Sequence, residues 1–277
     1  MQAGVSTACL YPDLTEEALY NLVINGISHV EIFINSDSEL RKPFIRNLAD
    51  IMKRYGTTCR SLHPFACPIE PMMLFSRYER RMTDMLEYYK KHFEMMNLLG
   101  ADIFVLHGNF RVCAVSVECY CERFEKLVRL GRESGIIVAQ ENVERCQSGS
   151  LRFLREMVKI LGDDARFVLD IKQAVRAGEN PIQMLHTLGN RVCHIHMSDH
   201  RIQAEPKADC LVLGAGEFKI RNFLEHLAQY RPDASVMLEL YRENFRGISD
   251  LVSSYRMLAR MISGIEKNRQ DAGNLKI

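Results

Sequence analysis

Short runs of β-branched and aliphatic residues alternate with longer segments of helical periodicity along the whole 277-residue chain. Such runs, bounded by turn residues, predict strands. Eight of them are present: Val5–Leu10, His29–Asn35, Thr58–His63, Ile103–His107, Ile136–Glu141, Arg166–Asp170, Val192–His196 and Val236–Glu239. The intervening segments carry apolar residues at helical spacing, and the last of them, Leu251–Ile262, places these residues on one face.

Strands that alternate with helices pair in parallel through crossover connections. Eight such units in about 250 residues fit an α/β fold of one closed (β/α)8 TIM barrel better than an open sheet. The first strand leads into ACLYPDL rather than a Gly-rich phosphate loop, which argues against dinucleotide binding. No Pro- or Ser-rich linker divides the chain. We therefore predict one barrel domain over residues 1–265 and a polar C-terminal tail over 266–277.

The composition excludes several classes of protein. Lys and Arg total 36 against 35 Asp and Glu, so the chain lacks the basic excess of a nucleic-acid coat protein. No apolar run approaches the roughly 20 residues of a membrane span, and the first residues do not resemble a signal peptide. Nine Cys without a CxxC pair favour reduced thiols. These features predict a cytoplasmic protein without nucleic-acid or membrane partners, and they leave room for a homo-oligomer.

Polar residues close six of the eight predicted strands. In parallel barrels the active site lies at the carboxyl ends of the strands, so these side chains should converge. They are His63, His107, Glu141, Asp170, His196 and Glu239. Three carboxylates at one barrel mouth repel each other unless a cation neutralises them. We therefore predict one divalent metal ion bound by Glu141, Asp170, His196 and Glu239; such oxygen and imidazole ligands suit Mn²⁺, Co²⁺, Zn²⁺ or Mg²⁺.

Several of these residues have a second interpretation that the sequence leaves open. Asp170 could cap the helix that follows it, and either His194 or His196 could be a hydrogen-bonded core histidine. The segment Gly214–Gly216 could bind a substrate phosphate through its backbone amides or form a structural turn. Arg201 could contact an anionic substrate or be an ordinary exposed residue of a long loop.

The same residues carry a resemblance to a known family. QENVER at 140–145, LDIKQ at 169–173, HMSD at 196–199, GAGEF at 214–218 and LELYREN at 238–244 follow one another in that order. In this pattern the chain resembles the xylose isomerase-like TIM barrel superfamily, which includes sugar isomerases, ketose 3-epimerases and apurinic endonuclease IV. The resemblance implies that the four predicted metal ligands match the family's metal-binding positions. It also implies that His63 and His107 match histidines used for extra metals or for substrate.

Two departures from the family patterns narrow this expectation. Endonuclease IV has a His where this chain has Gln173, and an Asp-x-His pair that Ser198–Gly216 lacks. A three-metal site is therefore not expected. Ketose 3-epimerases typically read E-x-x-N-R-F-E after strand five; here Glu141 and Arg145 remain, but the last Glu is Gln147. The residues that contact substrate are therefore expected to differ from those of the epimerases.

The resemblance and the strand-end residues together predict a metal-dependent isomerase or epimerase. Its substrate would be a carbohydrate, namely a sugar, a sugar phosphate or a polyol-derived ketone, and its intermediate an enediolate. Glu141 and Glu239 are the predicted catalytic bases. The residues predicted to contact the substrate are His63, His107, Gln173 and Arg201. Two other classes stay open: an endonuclease IV-like phosphodiesterase or a lyase or dehydratase on the same barrel, and a catalytically silent sugar-binding barrel.

Overall fold

A computed structural model of the chain describes residues 1–65, 69–201 and 210–274. Eight parallel strands form a closed barrel in chain order, and β1 pairs with β8 to complete it. The predicted single (β/α)8 barrel is thereby confirmed. The strands are β1 Gln2–Ser6, β2 His29–Phe33, β3 Thr58–His63, β4 Ile103–Leu106, β5 Ile137–Glu141, β6 Phe167–Asp170, β7 Val192–Met197 and β8 Ser235–Leu238.

Helices connect the strands and surround the barrel. They are α1 Thr15–Ile24, α2 Lys42–Tyr55, α3 Ile69–Met72, α4 Glu79–Leu99, α5 Val117–Glu133, α6 Leu151–Leu161, α7 Ile171–Arg176, α8 Pro181–Leu188, α9 Ile220–Tyr230 and α10 Ile248–Asn274. Short 3-10 turns are formed by Thr7–Leu10, Asp37–Leu40, Arg111–Cys113, Gln147–Gly149, Gly162–Asp164, Gly189–Arg191 and Arg242–Asn244. Among the described residues, no helix is long and apolar enough to cross a membrane.

The two ends of the chain differ from the sequence prediction. The first strand covers Gln2–Ser6 instead of Val5–Leu10, because the Ser6 hydroxyl accepts a hydrogen bond from Ala8 N and the chain turns into a 3-10 helix there. The last helix continues to Asn274, well past the predicted end at Ile262. The division at residue 265 remains a prediction, although helix continues across it.

Both faces of the strands are buried, as expected for parallel strands covered by helices. Outward residues such as Phe104 and Leu106 join the main core beneath the helices. The alternate residues form a separate apolar cluster inside the barrel, made of Ile103, Val105, Ala139, Val168 and Cys193. This cluster fills the interior, so the polar side chains that point inward lie above it, at the carboxyl end.

The strand register shifts in β3 and in β7. Val30 pairs with Cys59 but Glu31 pairs with Ser61, and Phe167 pairs with Val192 but Val168 pairs with His194. Each shift inserts one extra residue, as in a β-bulge, and bulges re-aim the side chains that follow them. Both shifts precede histidines at the carboxyl ends of these strands.

Gly4 marks a close approach where β1 closes the barrel. A Cβ built there would lie 2.5 Å from the carbonyl oxygen of His29 and 2.3 Å from Sδ of Met237. We expect Gly4→Ala to lower the free energy of unfolding by about 1–3 kcal/mol, since the backbone oxygen cannot move aside without distorting the sheet. The measurement is urea unfolding followed by circular dichroism.

Gly264→Ala is the matched control for this substitution. Gly264 lies in α10, and apart from the backbone of that helix the nearest atom to an added Cβ is Nη2 of Arg221 at 3.8 Å. Alanine should therefore stabilise the helix by up to about 1 kcal/mol. Equal unfolding midpoints for the two variants would contradict the close approach at Gly4.

Candidate metal centre and active site

The strand-end residues singled out from the sequence lie together at the carboxyl end of the barrel. His63, Glu141 and Asp170 are the last residues of β3, β5 and β6. His107 and Glu239 directly follow β4 and β8, and His196 lies in β7. The ring centroid of His63 is 4.5 Å from that of His107 and 5.7 Å from that of His196. The convergence expected from the barrel topology is therefore present.

The four predicted metal ligands form one compact cluster. Glu141, Asp170, His196 and Glu239 each offer a ligand atom, and these atoms lie within 4.8 Å of one another. Nδ1 of His196 is 3.2 Å from Oε1 of Glu141, 3.4 Å from Oε2 of Glu239 and 3.9 Å from Oδ2 of Asp170. The imidazole therefore faces all three carboxylates with the same ring nitrogen.

Glu141 also belongs to a second cluster with the two remaining histidines. Its Oε2 is 3.2 Å from Nε2 of His107 and 3.6 Å from Nε2 of His63. The ligand atoms of these three residues again lie within 4.8 Å of one another. The ring of His63 stacks on Phe33 at a centroid distance of 4.8 Å, which orients it. Glu141 therefore lies between two groups of side chains that could hold a metal ion.

Strand β5 positions its neighbours through the residues on either side of Glu141. The side-chain amide of Gln140 donates to the carbonyl oxygens of Leu106 and His107, at 3.0 and 2.9 Å. Asn142 accepts a hydrogen bond from Asp170 N at 2.7 Å and donates to Asp170 O at 3.0 Å. Both side chains are fully buried. The Gln-Glu-Asn sequence thus holds the ends of β4 and β6 beside Glu141.

Glu31 is a site residue that the sequence analysis missed. It is fully buried in β2, and its Oε2 is 3.1 Å from Nε2 of both His194 and His196. Ser61 donates a hydrogen bond to the same oxygen at 2.8 Å. A carboxylate on the far nitrogen of a ligand histidine fixes the tautomer that presents the other nitrogen to the metal. A lone carboxylate within the apolar strand HVEIFIN was the signal that could have identified it.

Lys172 was also missed, although it lies within the LDIKQ segment. Its Nζ donates to Oε2 of Glu239 at 3.2 Å and lies 3.3 Å from Oδ2 of Asp170. The ammonium sits over the ring of Tyr241, 4.7 Å from the centroid. The side chain is only 4% exposed. Lys172 therefore brings a positive charge into the carboxylate cluster.

Burial and the neighbouring charges raise the pKa of Asp170 but lower the pKa values of Glu239 and Glu141. Burial, only partly offset by Lys172, raises the pKa of Asp170 to about 7. Burial opposes ionisation of Glu239 as well, but Lys172 and His196 outweigh it and lower that pKa to about 2. For Glu141, hydrogen bonds with His107 and His196 overcome burial and hold the pKa well below its usual range. Glu141 and Glu239 are therefore ionised at neutral pH.

The pKa of His196 is raised, as expected for an imidazole in a site that attracts positive charge. Burial lowers its pKa, but the carboxylates of Glu31 and Glu239 outweigh burial and hold the pKa well above the usual value. Within the described part of the chain, Oδ2 of Asp170 and both ring nitrogens of His63 have no hydrogen-bond partner. The donor set, together with these atoms that make no hydrogen bond, fits a divalent metal ion, which would replace the proton on Nδ1 of His196.

Asp170 caps the helix that follows it, which was one of the two interpretations of the sequence, and its second oxygen is left facing the cluster. Its Oδ1 accepts a hydrogen bond from Gln173 N at 2.8 Å and caps α7, while Oδ2 faces the cluster. The side chain of Gln173 accepts a hydrogen bond from Glu144 N at 3.0 Å, which ties α7 to the loop after β5. Arg201 is exposed and precedes residues 202–209, which lie outside the described residues. Substrate contact by Gln173 and Arg201 remains a prediction.

The side chains of two loop residues, Asp199 and Gln147, form hydrogen bonds to other loop residues. The carboxylate of Asp199 accepts hydrogen bonds from the amides of Gly214, Gly216 and Phe218, at 2.9 to 3.0 Å. The Gly214–Gly216 segment is therefore a structural turn, and these amides are engaged rather than available to a phosphate. The amide group of Gln147 similarly bonds Asn109 and both backbone groups of Val115.

Comparisons with known proteins agree with this architecture. The model of the xylose isomerase-like TIM barrel family matches residues 21–262. An uncharacterized protein of Mycobacterium leprae is 23% identical over 275 residues, which cover 90% of this chain and 92% of that protein.

Solved structures share the fold at low identity. A D-tagatose 3-epimerase-like protein is 20% identical with a TM-score of 0.79, over 97% of this chain and 99% of that one. A D-psicose 3-epimerase from Clostridium cellulolyticum H10, crystallised with D-tagatose, is 15% identical with a TM-score of 0.75, over 96% and 99%. An IolI protein with a bound zinc atom is 16% identical with a TM-score of 0.72, over 96% and 98%.

Glu70 is a buried carboxylate next to the chain segment that carries His107. It accepts hydrogen bonds of 2.6 Å from the Tyr89 hydroxyl and from the backbone amide of Gly108, the residue after His107. Burial, opposed by His107 and by these two hydrogen bonds, raises its pKa to about 7. Glu70 therefore anchors the chain at His107 and ionises less readily than an ordinary glutamate.

This pKa predicts a pH-dependent gain in stability for Glu70→Gln, whose oxygen can accept from Gly108 N while its NH2 donates to the Tyr89 oxygen, as the neutral acid would. Below about pH 4.5 the folded and unfolded wild type are both protonated at this position, so the charge costs nothing. Between pH 4.5 and 7 only the unfolded state ionises, and wild-type stability falls. The variant should therefore gain up to about 3 kcal/mol over wild type by pH 8.

Urea unfolding at pH 5, 7 and 8 measures this difference. The exposed Glu243→Gln is the control and should give no comparable pH-dependent gain. A Glu70→Gln stability difference that is the same at all three pH values would show that burial does not raise this pKa.

Proposed function

We propose that this chain, which belongs to the xylose isomerase-like TIM barrel family, is a metal-dependent isomerase or epimerase of a small carbohydrate. The proposal rests on one cluster, in which the carboxylates of Glu141, Asp170 and Glu239 surround Nδ1 of His196. It combines a cation site with two ionised carboxylates at the open end of the barrel. The sugar epimerases among the solved structures share the fold and give the proposal its substrate class.

The residues of the cluster suit a single divalent ion chosen among Mn²⁺, Co²⁺, Zn²⁺ and Mg²⁺. When bound, such an ion supplies Lewis-acid polarisation of a substrate carbonyl and stabilises the negative charge of an enediolate. Glu31 supports this role by holding Nε2 of His196, which leaves Nδ1 directed at the carboxylates. Asn142 supports it by clamping the backbone of Asp170.

Glu141 and Glu239 are the proposed bases. Both are ionised at neutral pH and come from strands on different sides of the barrel mouth. One carboxylate would remove the proton from the carbon next to the substrate carbonyl, and the other would return a proton from the opposite face. His107 and His63, which contact Glu141, would donate hydrogen bonds to substrate oxygens. Epimerisation uses both bases, whereas an aldose–ketose isomerisation uses one.

One observation favours a second candidate, a phosphodiesterase of the endonuclease IV kind. His63, His107 and Glu141 form a second group with ligand atoms close enough to bind an ion. Against it stand Gln173, which replaces a metal-binding histidine of that enzyme and bonds Glu144 N instead, and the formal net charge of only +1. Incision of abasic duplex DNA that is abolished by His196→Ala would favour this alternative.

Removal of one ligand should remove the metal. We expect purified wild-type protein to hold about one divalent ion per chain, and Asp170→Ala and Glu239→Ala to lose it, because each deletes a charged donor from a four-ligand site. Elemental analysis after dialysis measures the ion content, and circular dichroism checks the fold. The control is Asp233→Ala, since Asp233 is an exposed partner of Arg231. Stoichiometric metal in both site variants would refute the ligand assignment.

The proposed bases should exchange a substrate proton with solvent. In D₂O, the wild type should place deuterium on the carbon next to the carbonyl of its substrate, detected by NMR with a panel of ketoses and cyclic ketones. Glu141→Gln and Glu239→Gln should slow exchange by about 10²–10⁴-fold, which is typical of a lost general base. His63→Ala should have a smaller effect.

Glu225→Gln on the exposed surface of α9 is the control and should exchange as wild type does. The decisive variant is Glu239→Gln with its metal content measured in the same sample. Full exchange activity together with bound metal would end the assignment of Glu239 as a base.

A further inference from the structure

The ammonium of Lys172 occupies a place where a metal ion would compete with it. It contacts Oε2 of Glu239 and Oδ2 of Asp170, and it is buried against the ring of Tyr241. Oε2 of Glu239 and Oδ2 of Asp170 are also the oxygens that approach Nδ1 of His196. Lys172 and a bound ion would therefore share the same two carboxylate oxygens.

The charges of the surrounding side chains determine what the ammonium of Lys172 does in the site. Three ionised carboxylates carry three negative charges, and a divalent ion neutralises two of them. Lys172 supplies the remaining positive charge for these three carboxylates, while the carboxylate of Glu31 is held separately by His194, His196 and Ser61. Without an ion, Lys172 is the permanent cation beside Asp170, which is buried, and Glu239, which is 14% exposed. Two carboxylates this close are strongly unfavourable without a positive charge.

We infer that Lys172 is an internal competitor that sets the affinity of the site for divalent metal ions. It holds Asp170 and Glu239 together in the metal-free protein, and it opposes the ion electrostatically when these oxygens become ligands. The inference rests on the proposed metal site but not on the reaction carried out there. Lys172 is a positioning residue in this role, and the readout is metal affinity rather than turnover.

Lys172→Met tests the inference, because methionine keeps an unbranched side chain and removes the charge. Metal-stripped wild type and variant are titrated with Mn²⁺ by isothermal calorimetry, and their melting temperatures are measured with and without Mn²⁺. We expect the variant to bind Mn²⁺ at least about tenfold more tightly. Without metal it should melt at a lower temperature than wild type, so its rise in melting temperature on adding Mn²⁺ should be larger.

Lys172→Gln is the second variant, in case methionine prevents folding, and Lys159→Met is the control. Lys159 is an exposed residue of α6 that pairs with Glu156, so its loss should not change Mn²⁺ affinity. Should both Lys172 variants be unfolded without metal, recovery of folded protein on refolding with Mn²⁺ supports the inference. Failure to recover it overturns the inference.

Whether Mn²⁺ affinity rises or falls in the Lys172 variants separates this role from a purely structural one. A lysine that only supports the fold would, when removed, weaken Mn²⁺ binding as well as stability. Equal or weaker binding in the Lys172 variants therefore overturns the inference while leaving the proposed metal site intact. No Mn²⁺ binding in wild type or in either variant overturns both proposals.

Discussion

Repulsion among three carboxylates, two of them buried and one partly exposed, is the constraint around which the carboxyl end of this barrel is organised. Glu141 and Asp170 end the adjacent strands β5 and β6, Glu239 follows β8 across the barrel mouth, and burial makes their charges costly. Two cations inside the cluster offset that cost: His196, whose pKa is raised well above its usual range, and Lys172. A site that needs this much positive charge is suited to a divalent ion, and that suitability underlies the proposed chemistry.

Hydrogen bonds from residues beside the ligands hold this arrangement in place. Gln140 and Asn142 flank Glu141 and bind the ends of the two adjacent strands, so one short segment sets three positions on the rim. On the other side of the barrel, Glu31 accepts from the far nitrogens of His194 and His196. Because these partners are buried, each lost contact would leave an unsatisfied polar group. The geometry of this side-chain cluster is thus part of the packing of the barrel interior.

Residues that occur at the ends of strands could be identified from the sequence, while residues that reach the site from elsewhere could not. His63, His107 and the four predicted ligands were identified because parallel strands share the direction of their carboxyl ends. Glu31 lies in the middle of β2, and nothing local shows that it meets histidines of β7. Lys172 follows Asp170 by two residues, but the turn into α7 decides that its ammonium returns to the rim.

By itself, the sequence determined the barrel, the order of its strands and which polar residues gather at its carboxyl end, since alternation and strand ends are local patterns. The bounds of β1 and the bulges in β3 and β7 depended on the tertiary structure, because a hydroxyl cap and neighbour pairing override a local run. Only the folded barrel decided which ring nitrogen of His196 faces the carboxylates and which cation sits between Asp170 and Glu239. Those are contacts between residues far apart in the chain, and their distances follow from closing eight strands around a filled interior.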